Sequence, residues 1–148
     1  MFKIKIIATG KFKESAYKDL EKEYLKRLGL YAKVSVVELP EVSYGKNPDR
    51  ERVKEKEAEN IAKHLASDAV VILLEEKGSL RNSEEFAEFI ERIGGIGREM
   101  IFVIGSGIGL HESLKQYSNY VISFSPLTFP HNMARVILEE QIYRACTI

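Results

Sequence analysis

The sequence lacks several features that would point to particular classes of protein. It has one cysteine, Cys146, so no internal disulfide can form, which is typical of proteins that fold in a reducing cytoplasm. No apolar run approaches the roughly 20 residues that a membrane-spanning helix needs. The N-terminal segment MFKIKIIATG is too short and too evenly charged for a secretory signal peptide. The three histidines are scattered without the spacing of metal ligands, so no metal site is predicted.

The chain also lacks a net charge, because 22 Lys and Arg residues balance 22 Asp and Glu residues. The total therefore gives no indication of a nucleic-acid partner, but the distribution is uneven. Residues 1–33 carry nine basic and four acidic residues, a net charge of +5, and the remainder carries −5. Such asymmetry marks either a surface that binds a polyanion or a solvent-exposed amphipathic helix. On charge alone the second interpretation is favoured.

What the sequence does contain is an alternation of strand and helix patterns, over a length that predicts one domain at residues 1–148. Apolar and β-branched runs predict strands at 2–8, 34–39, 69–74, 100–104 and 120–124. Apolar spacing and capping signals predict helices at 15–28, 49–66, 83–93, 111–117 and 130–146. Segments 40–49 and 75–82 are predicted loops, and Asn82 with Glu85 forms a predicted capping box. The order is typical of an α/β fold, a mostly parallel sheet with helices on both faces.

Three of the predicted strands run into unusual loops: LLEEKG at 73–78, IGSGIGL at 104–110 and SFSPLTFPHN at 123–132. In a parallel sheet, loops at the carboxyl ends of strands lie at one edge, where ligands bind. The glycine loop fits neither a dinucleotide fingerprint, because Leu110 breaks the spacing, nor a phosphate-binding P-loop. Its glycines would let bare backbone approach a flat ligand, although a turn that only joins strand to helix is an equal alternative.

The third loop is dense in residues that restrict the backbone. Pro126 restricts Ser125 to extended geometry, and Thr128 is a predicted cap of the last helix with Pro130 in its first turn. The backbone groups left free in such a loop suit the edge of a purine. His131 is a candidate base or substrate ligand, although a local hydrogen bond at the helix start is the favoured alternative.

The last predicted helix is apolar over roughly 260° of its circumference at 100° per residue. The residues of this arc are Met133, Ala134, Val136, Ile137, Leu138, Ile142, Tyr143 and Ala145. The compact polar arc consists of Asn132, Arg135 and Glu139. So wide an apolar arc needs a second covering surface, most commonly a symmetric partner subunit. Glu140 and Arg144, four residues apart, are expected to form an ion pair.

Two long segments, FVIGSGIGLHESL and NYVISFSPLTFPHNMARVILEEQIYRA, resemble the SPOUT class of methyltransferases. Together with KIKIIATGK, KEKEAENI and LLEEKGSLRNSEEFAEFI, they resemble its ribosomal large-subunit pseudouridine N3-methyltransferase family over nearly the whole chain. The resemblance implies methylation of N3 of a pseudouridine in 23S rRNA within the assembled ribosome, with S-adenosylmethionine as the methyl donor. It also implies a cytoplasmic homodimer whose interface includes the last helix. The C-terminal segment would thread through a loop to form a deep trefoil knot, a rare topology.

The resemblance also implies which residues bind the cofactor, largely through backbone atoms. They are Leu74, Gly105 and the segment of Phe124, Ser125, Pro126, Leu127, Thr128 and Phe129. The catalytic candidates are His131, because histidine titrates near neutral pH, and Arg135 and Arg144, which suit a phosphate or an N3 anion. The candidates for an RNA-docking face are Lys11, Lys13, Lys18, Lys22, Lys26 and Arg27. One modest patch suits an enzyme that recognises a large shaped RNA.

Two features depart from the family pattern. Gly105 and Ser106 stand where the family usually has two glycines, and a serine fits there only if its φ stays negative. Family members continue beyond the YRA motif with a short tail that ends near a Tyr-His pair, whereas this sequence ends at Ile148. Since the family tail is expected to assist with the substrate, one alternative is an S-adenosylmethionine- or nucleotide-binding α/β dimer without catalysis. A structural dimerisation protein is a third possibility.

Overall fold

The computed structural model describes residues 1–47 and 49–148. The strands are β1 (Phe2–Thr9), β2 (Ala32–Leu39), β3 (Val70–Leu80), β4 (Met100–Ile104) and β5 (Tyr120–Ser123). The helices are α1 (Ser15–Leu28), α2 (Arg50–Ala62), α3 (Ser83–Gly94), a 3-10 helix (Glu112–Tyr117) and α4 (His131–Thr147). All neighbouring strands pair in parallel, in the order β2-β1-β4-β3-β5, which confirms the predicted fold class. The predicted loop at 40–49 includes Pro48, which lies outside the described residues.

Successive side chains of the strands pack on opposite faces of the sheet, as the period of a strand requires. Ile4 and Ile6 of β1 join the apolar cluster under α1, α3 and α4. Ile7 joins the cluster on the other face, under α2 and the 3-10 helix. All five residues of β4 are buried, because this central strand is covered on both faces. The edge of the sheet at the carboxyl ends is therefore held by packing from both sides.

Strand β3 extends to Leu80, so the prediction of a loop at 75–80 is wrong. Leu74 and Ser79 both pair with Ile122 of β5, and the four residues between them bulge out of the sheet. The second pairing of β3 with β5 could not be predicted from apolar spacing, because residues 75–79 are polar or glycine and the paired residues Ser79 and Leu80 are exposed. The helix before β3, predicted at 49–66, ends earlier than predicted, at Ala62.

Capping was predicted correctly for one helix and wrongly for another. The Asn82 side chain accepts a hydrogen bond from Glu85 N at 2.8 Å, and Glu85 Oε1 accepts from Asn82 N at 2.9 Å, which confirms the capping box. Helix α4 instead begins at His131 with Pro130 in the cap position, so Thr128 does not cap it. Pro130 also precedes the first turn instead of lying in it. No side chain in the described part of the chain makes a cap hydrogen bond at the start of α4.

Helix α4 packs between α1 and α3, and its predicted polar arc turns inward. Arg135 is 2% exposed and Glu139 is completely buried. The Arg135 guanidinium donates to both Glu21 carboxylate oxygens, each at 2.8 Å, and to Glu38 at 2.7 Å. The predicted ion pair between Glu140 and Arg144 is confirmed, with the Arg144 Nε donating at 3.0 Å. An outer stripe remains at helical spacing, formed by Met133, Ile137, Glu140, Gln141 and Arg144.

Candidate active site

The bulge of β3 and the loops that follow β4 and β5 enclose a cleft of about 370 Å³, called the loop cleft below. Residues 74–77, 104–110, 122–125 and 127–129 line it, with Lys54, His131 and Ala134. The three segments predicted as neighbouring loops therefore line one cavity, although the first of them is a bulge of β3. Its volume lies within the range of small-molecule sites, about 300–1,000 Å³. Both apolar side chains and bare glycine backbone line it.

The wall after β5 is folded by its own serines. Ser125 N donates to Ser123 Oγ at 3.1 Å, and the Ser123 hydroxyl donates to Ser125 O at 2.9 Å. Leu127 N donates to Ser125 Oγ at 3.0 Å. These bonds replace the hydrogen bonds that a neighbouring strand would provide. They therefore fix the backbone in a non-helical conformation after β5 has ended. Pro126 does not line the cleft, although its neighbours on both sides do.

The glycine loop closes on itself tightly enough to require two of its three glycines, Gly105 and Gly109. A Cβ at Gly105 would lie 2.8 Å from the Gly109 carbonyl carbon, and Gly109 has a φ of +88°. Gly109 N donates to Ser106 O at 2.9 Å, which closes the turn. Ser106 keeps a φ outside the positive region, as its predicted tolerance requires. Its hydroxyl donates to Glu57 Oε1 at 2.8 Å, so the extra side chain is anchored below the loop.

His131 lies where the loop cleft meets a second cavity of about 520 Å³, called the lysine cavity because Lys11 and Lys13 line it. His131 Nε2 lies 3.5 Å from Glu41 Oε1, so its neighbour is a carboxylate from the segment after β2. The side chain remains 27% exposed. An imidazole at the junction of two cavities, next to a carboxylate, can accept or pass on a proton.

The other two catalytic candidates are not brought to the cleft. Arg135 is occupied by Glu21 and Glu38, and it lies over the Phe12 ring at 4.0 Å. Arg144 lies thirteen residues after His131 on the same helix. At 1.5 Å per residue it is roughly 20 Å away along the axis. Within one subunit, His131 alone of the three borders both cavities.

The six candidates for RNA docking fall into two groups. Lys11 and Lys13 line the lysine cavity beside His131. Lys18, Lys22 and Lys26 are exposed, and their spacing of four places them on one side of α1. Arg27 is exposed as well, but its Nε donates to Glu23 at 2.9 Å. The basic groups thus run from the edge of the candidate site along the first helix.

Sequence reasoning did not identify every residue around the cleft. Lys54 reaches it from α2 and Glu75 from the bulge of β3, and Glu57 supports it from below. Glu75 belongs to a loop that the sequence analysis did place at the site. Lys54 and Glu57 lie in the KEKEAENI segment of the resemblance, but no role was predicted for them, because their helix is distant in sequence from the three loops.

The described ranges, 1–47 and 49–148, contain no group of three or more His, Cys, Asp or Glu side chains that could hold a metal ion. In the same part of the chain, no helix is long and apolar enough to cross a membrane.

Known proteins match the chain at the level of sequence and of fold. Residues 2–148 match the family model described as "Predicted SPOUT methyltransferase". "Ribosomal RNA large subunit methyltransferase H" of Caldicellulosiruptor saccharolyticus is 41% identical over 145 residues, covering 98% of this chain and 94% of the relative. A solved structure from Neisseria gonorrhoeae, described as a methylase family protein, aligns with a TM-score of 0.59. It covers 95% of this chain and 81% of its own, and at 14% identity it supports the fold alone.

Proposed function

The chain belongs to the SPOUT methyltransferase family, and we propose that it methylates ribosomal RNA of the large subunit with S-adenosylmethionine as the methyl donor. The relative that is 41% identical is named as a methyltransferase of large-subunit ribosomal RNA. The choice of S-adenosylmethionine rests on the family resemblance. The observation that carries the proposal for the site is the convergence of three loops on one cleft with His131 at its mouth. The finer assignment is N3 of a pseudouridine in 23S rRNA of the assembled ribosome, and it rests on the sequence resemblance.

The residues around the loop cleft fit this cofactor. Gly105 and Gly107 offer bare backbone to the cleft, and Leu74, Phe124 and Phe129 offer apolar surface to it. A flat adenine fits between such walls, and the free backbone groups of residues 124–129 can read its polar edge. Pro126 contributes by restricting the wall and not by contact. When bound, the cofactor supplies an activated methyl group on a sulfonium.

The chain's own residues then mainly have to position the reactants, which can lower a barrier by about 7–11 kcal/mol at best. A nitrogen that carries a proton must lose it during methylation. We assign that proton to His131, oriented by Glu41. Arg135 is assigned a structural role in the buried ion pairs. Arg144 could contact a substrate only at a cleft contributed by a partner subunit.

The dimer and the knot belong to the same proposal. The outer stripe of α4 includes Met133, which is 39% exposed in the isolated chain. A partner subunit would cover this stripe. The protein would be located in the cytoplasm, where ribosomes are. The knot would form where α4 leaves the loop at 124–130 and enters the space between α1 and α3.

We expect light scattering to give about twice the chain mass of 16.9 kDa. Met133→Asp places a charge on the outer stripe and should shift the mass to that of one chain. Thr147→Asp, at the exposed end of the same helix, should leave the dimer intact. A mass near 16.9 kDa for the unsubstituted protein contradicts the dimer.

Two measurements test the function. Calorimetry with S-adenosylmethionine should show saturable binding, and labelled methyl groups should appear in 23S rRNA when ribosomes lacking the modification are supplied. Mapping the label to the base establishes the N3 assignment. Binding without transfer would support the non-catalytic alternative, which the named relative does not favour. No binding would contradict both.

His131→Ala is expected to lower kcat for methyl transfer by roughly 100-fold, a common contribution of a general base. Cofactor affinity should change by less than about threefold if the substrate's proton is what the imidazole handles. His64→Ala is the matched control, because His64 lies two residues beyond the end of α2 and lines neither cavity. Equal rates for the two variants would remove His131 from the mechanism.

A further inference from the structure

Glu57 is a buried acid whose position the reaction scheme above does not use. It lies on α2 with 4% of its surface exposed. Burying a carboxylate is costly unless hydrogen bonds satisfy it, and here each oxygen has its own donor. Oε1 accepts from the Ser106 hydroxyl at 2.8 Å, and Oε2 accepts from Val42 N at 3.0 Å. The two donors come from two different loops.

Each of those loops carries part of the candidate site. Ser106 belongs to the glycine loop, which forms one wall of the loop cleft. Val42 directly follows Glu41, whose carboxylate lies 3.5 Å from His131 Nε2. A single side chain therefore joins the wall of the cofactor cleft to the segment that faces the candidate base. Both segments lie beyond the ends of their strands, where no ladder fixes them.

We propose that Glu57 is a positioning residue that sets the glycine loop and the Glu41–His131 pair in register with each other. The inference rests on the proposed function, since it concerns the same cleft. The Ser106 contact holds the wall against which the cofactor binds. The Val42 contact holds the backbone beside Glu41, and through it the imidazole. Charged hydrogen bonds are the stronger kind, which suits a carboxylate in both contacts.

The substitutions separate the two contacts. Ser106→Ala removes the glycine-loop contact and leaves Val42 bonded. Glu57→Gln keeps one acceptor, which must face Val42 N because that group only donates, so its amide turns to Ser106 and both bonds become neutral. Ser106→Ala keeps the test open if Glu57→Gln folds poorly. Glu59→Gln, an exposed position of the same helix, is the matched control.

Calorimetry with S-adenosylmethionine and steady-state methylation of unmodified ribosomes are measured below the unfolding temperature of every variant. Ser106→Ala should weaken cofactor binding roughly tenfold and raise the cofactor KM with little change in kcat. Glu57→Gln should weaken binding and also lower kcat, since it weakens the contact beside Glu41. The double variant should bind the cofactor no more weakly than the weaker single variant, because both changes act on one bond.

Variants that bind and turn over like Glu59→Gln while losing only thermal stability would overturn the inference, since Glu57 would then be a structural acid. Additive losses in the double variant would overturn it as well. Failure of the unsubstituted protein to bind the cofactor would overturn the proposed function and the inference together. The first two results leave the proposed function standing.

Discussion

Gly78→Ala is expected to lower the free energy of unfolding by about 2–3 kcal/mol, the cost of forcing atoms into a filled space. A Cβ at this position would lie 2.5 Å from the Ile122 carbonyl carbon and 2.7 Å from its oxygen. These are backbone atoms of a strand, and Ile122 pairs with β3 on both sides of the bulge. Neither chain can move away without breaking a ladder. The φ of Gly78 is not positive, so lack of space alone sets the cost.

Gly45→Ala is the matched control, because nothing lies within 4 Å of a Cβ there and its φ is not positive either. Both changes remove the same backbone freedom from the unfolded chain, which by itself stabilises by about 0.4–1 kcal/mol. Chemical denaturation of both variants gives the comparison. For a chain of this size the loss corresponds to roughly 5–10 °C in Tm. Equal stabilities would mean that the close approach of the two strands is absent.

Gly78→Ala should also weaken cofactor binding in the loop cleft. The cleft is lined by residues 75–77 of the bulge. It is also lined by residues 122–125, at the end of β5 and just beyond it. Pushing the two segments apart changes the distance between its walls, so we expect at least a tenfold loss of S-adenosylmethionine affinity in the folded fraction. Affinity equal to that of Gly45→Ala would show that the bulge is not part of the binding surface.

The outline of the site was predictable because it follows from a rule of parallel sheets. Loops after neighbouring strands meet at one edge whatever their side chains, so strand patterns and unusual loops were sufficient to place the cleft. The second pairing of β3 was not predictable, since residues 75–80 have no apolar period. Glu57 was missed for a similar reason. Its partners, Val42 and Ser106, belong to other segments and are fixed only by the tertiary fold.

The inward turn of Arg135 and Glu139 is the clearest case of tertiary structure overriding a pattern. Both residues belong to the polar arc of α4, yet α1 and β2 supply the carboxylates of Glu21 and Glu38 on that side. Those acids are distant in sequence, so no helical wheel of α4 could include them. Arg135 gains partners for its charge, whereas the buried oxygens of Glu139 have no hydrogen-bond partner among the described residues.

Burial, and after it the adjoining Glu21, raise the pKa of Glu139 to about 9, against the opposing effect of Arg135. In the described ranges, the buried Glu139 carboxyl has no donor that could stabilise its charged form. In the neutral form its own hydroxyl can donate a hydrogen bond to Glu21. The unfolded chain has the ordinary value of about 4.3. Between these values the folded chain holds one more proton than the unfolded chain. The contribution of Glu139 to the free energy of unfolding is therefore fully present below the pKa of the unfolded chain. It falls as pH rises from that pKa to the folded one, by up to about 1.4 kcal/mol per pH unit.

Glu139→Gln should remove this dependence, because the amide stays neutral in both states and can still donate to Glu21. We expect the variant to be up to about 5 kcal/mol more stable than the unsubstituted protein at pH 8 and about 1 kcal/mol more stable at pH 5. Urea unfolding at intervals between those pH values measures the difference. Glu140→Gln is the control, since Glu140 faces outward to Arg144 and should keep the original pH dependence. A stability difference between Glu139→Gln and the unsubstituted protein that does not change with pH would mean that Glu139 is ionised in the folded chain. In that case its charge would have to be balanced by Arg135, which would then be shared among three carboxylates.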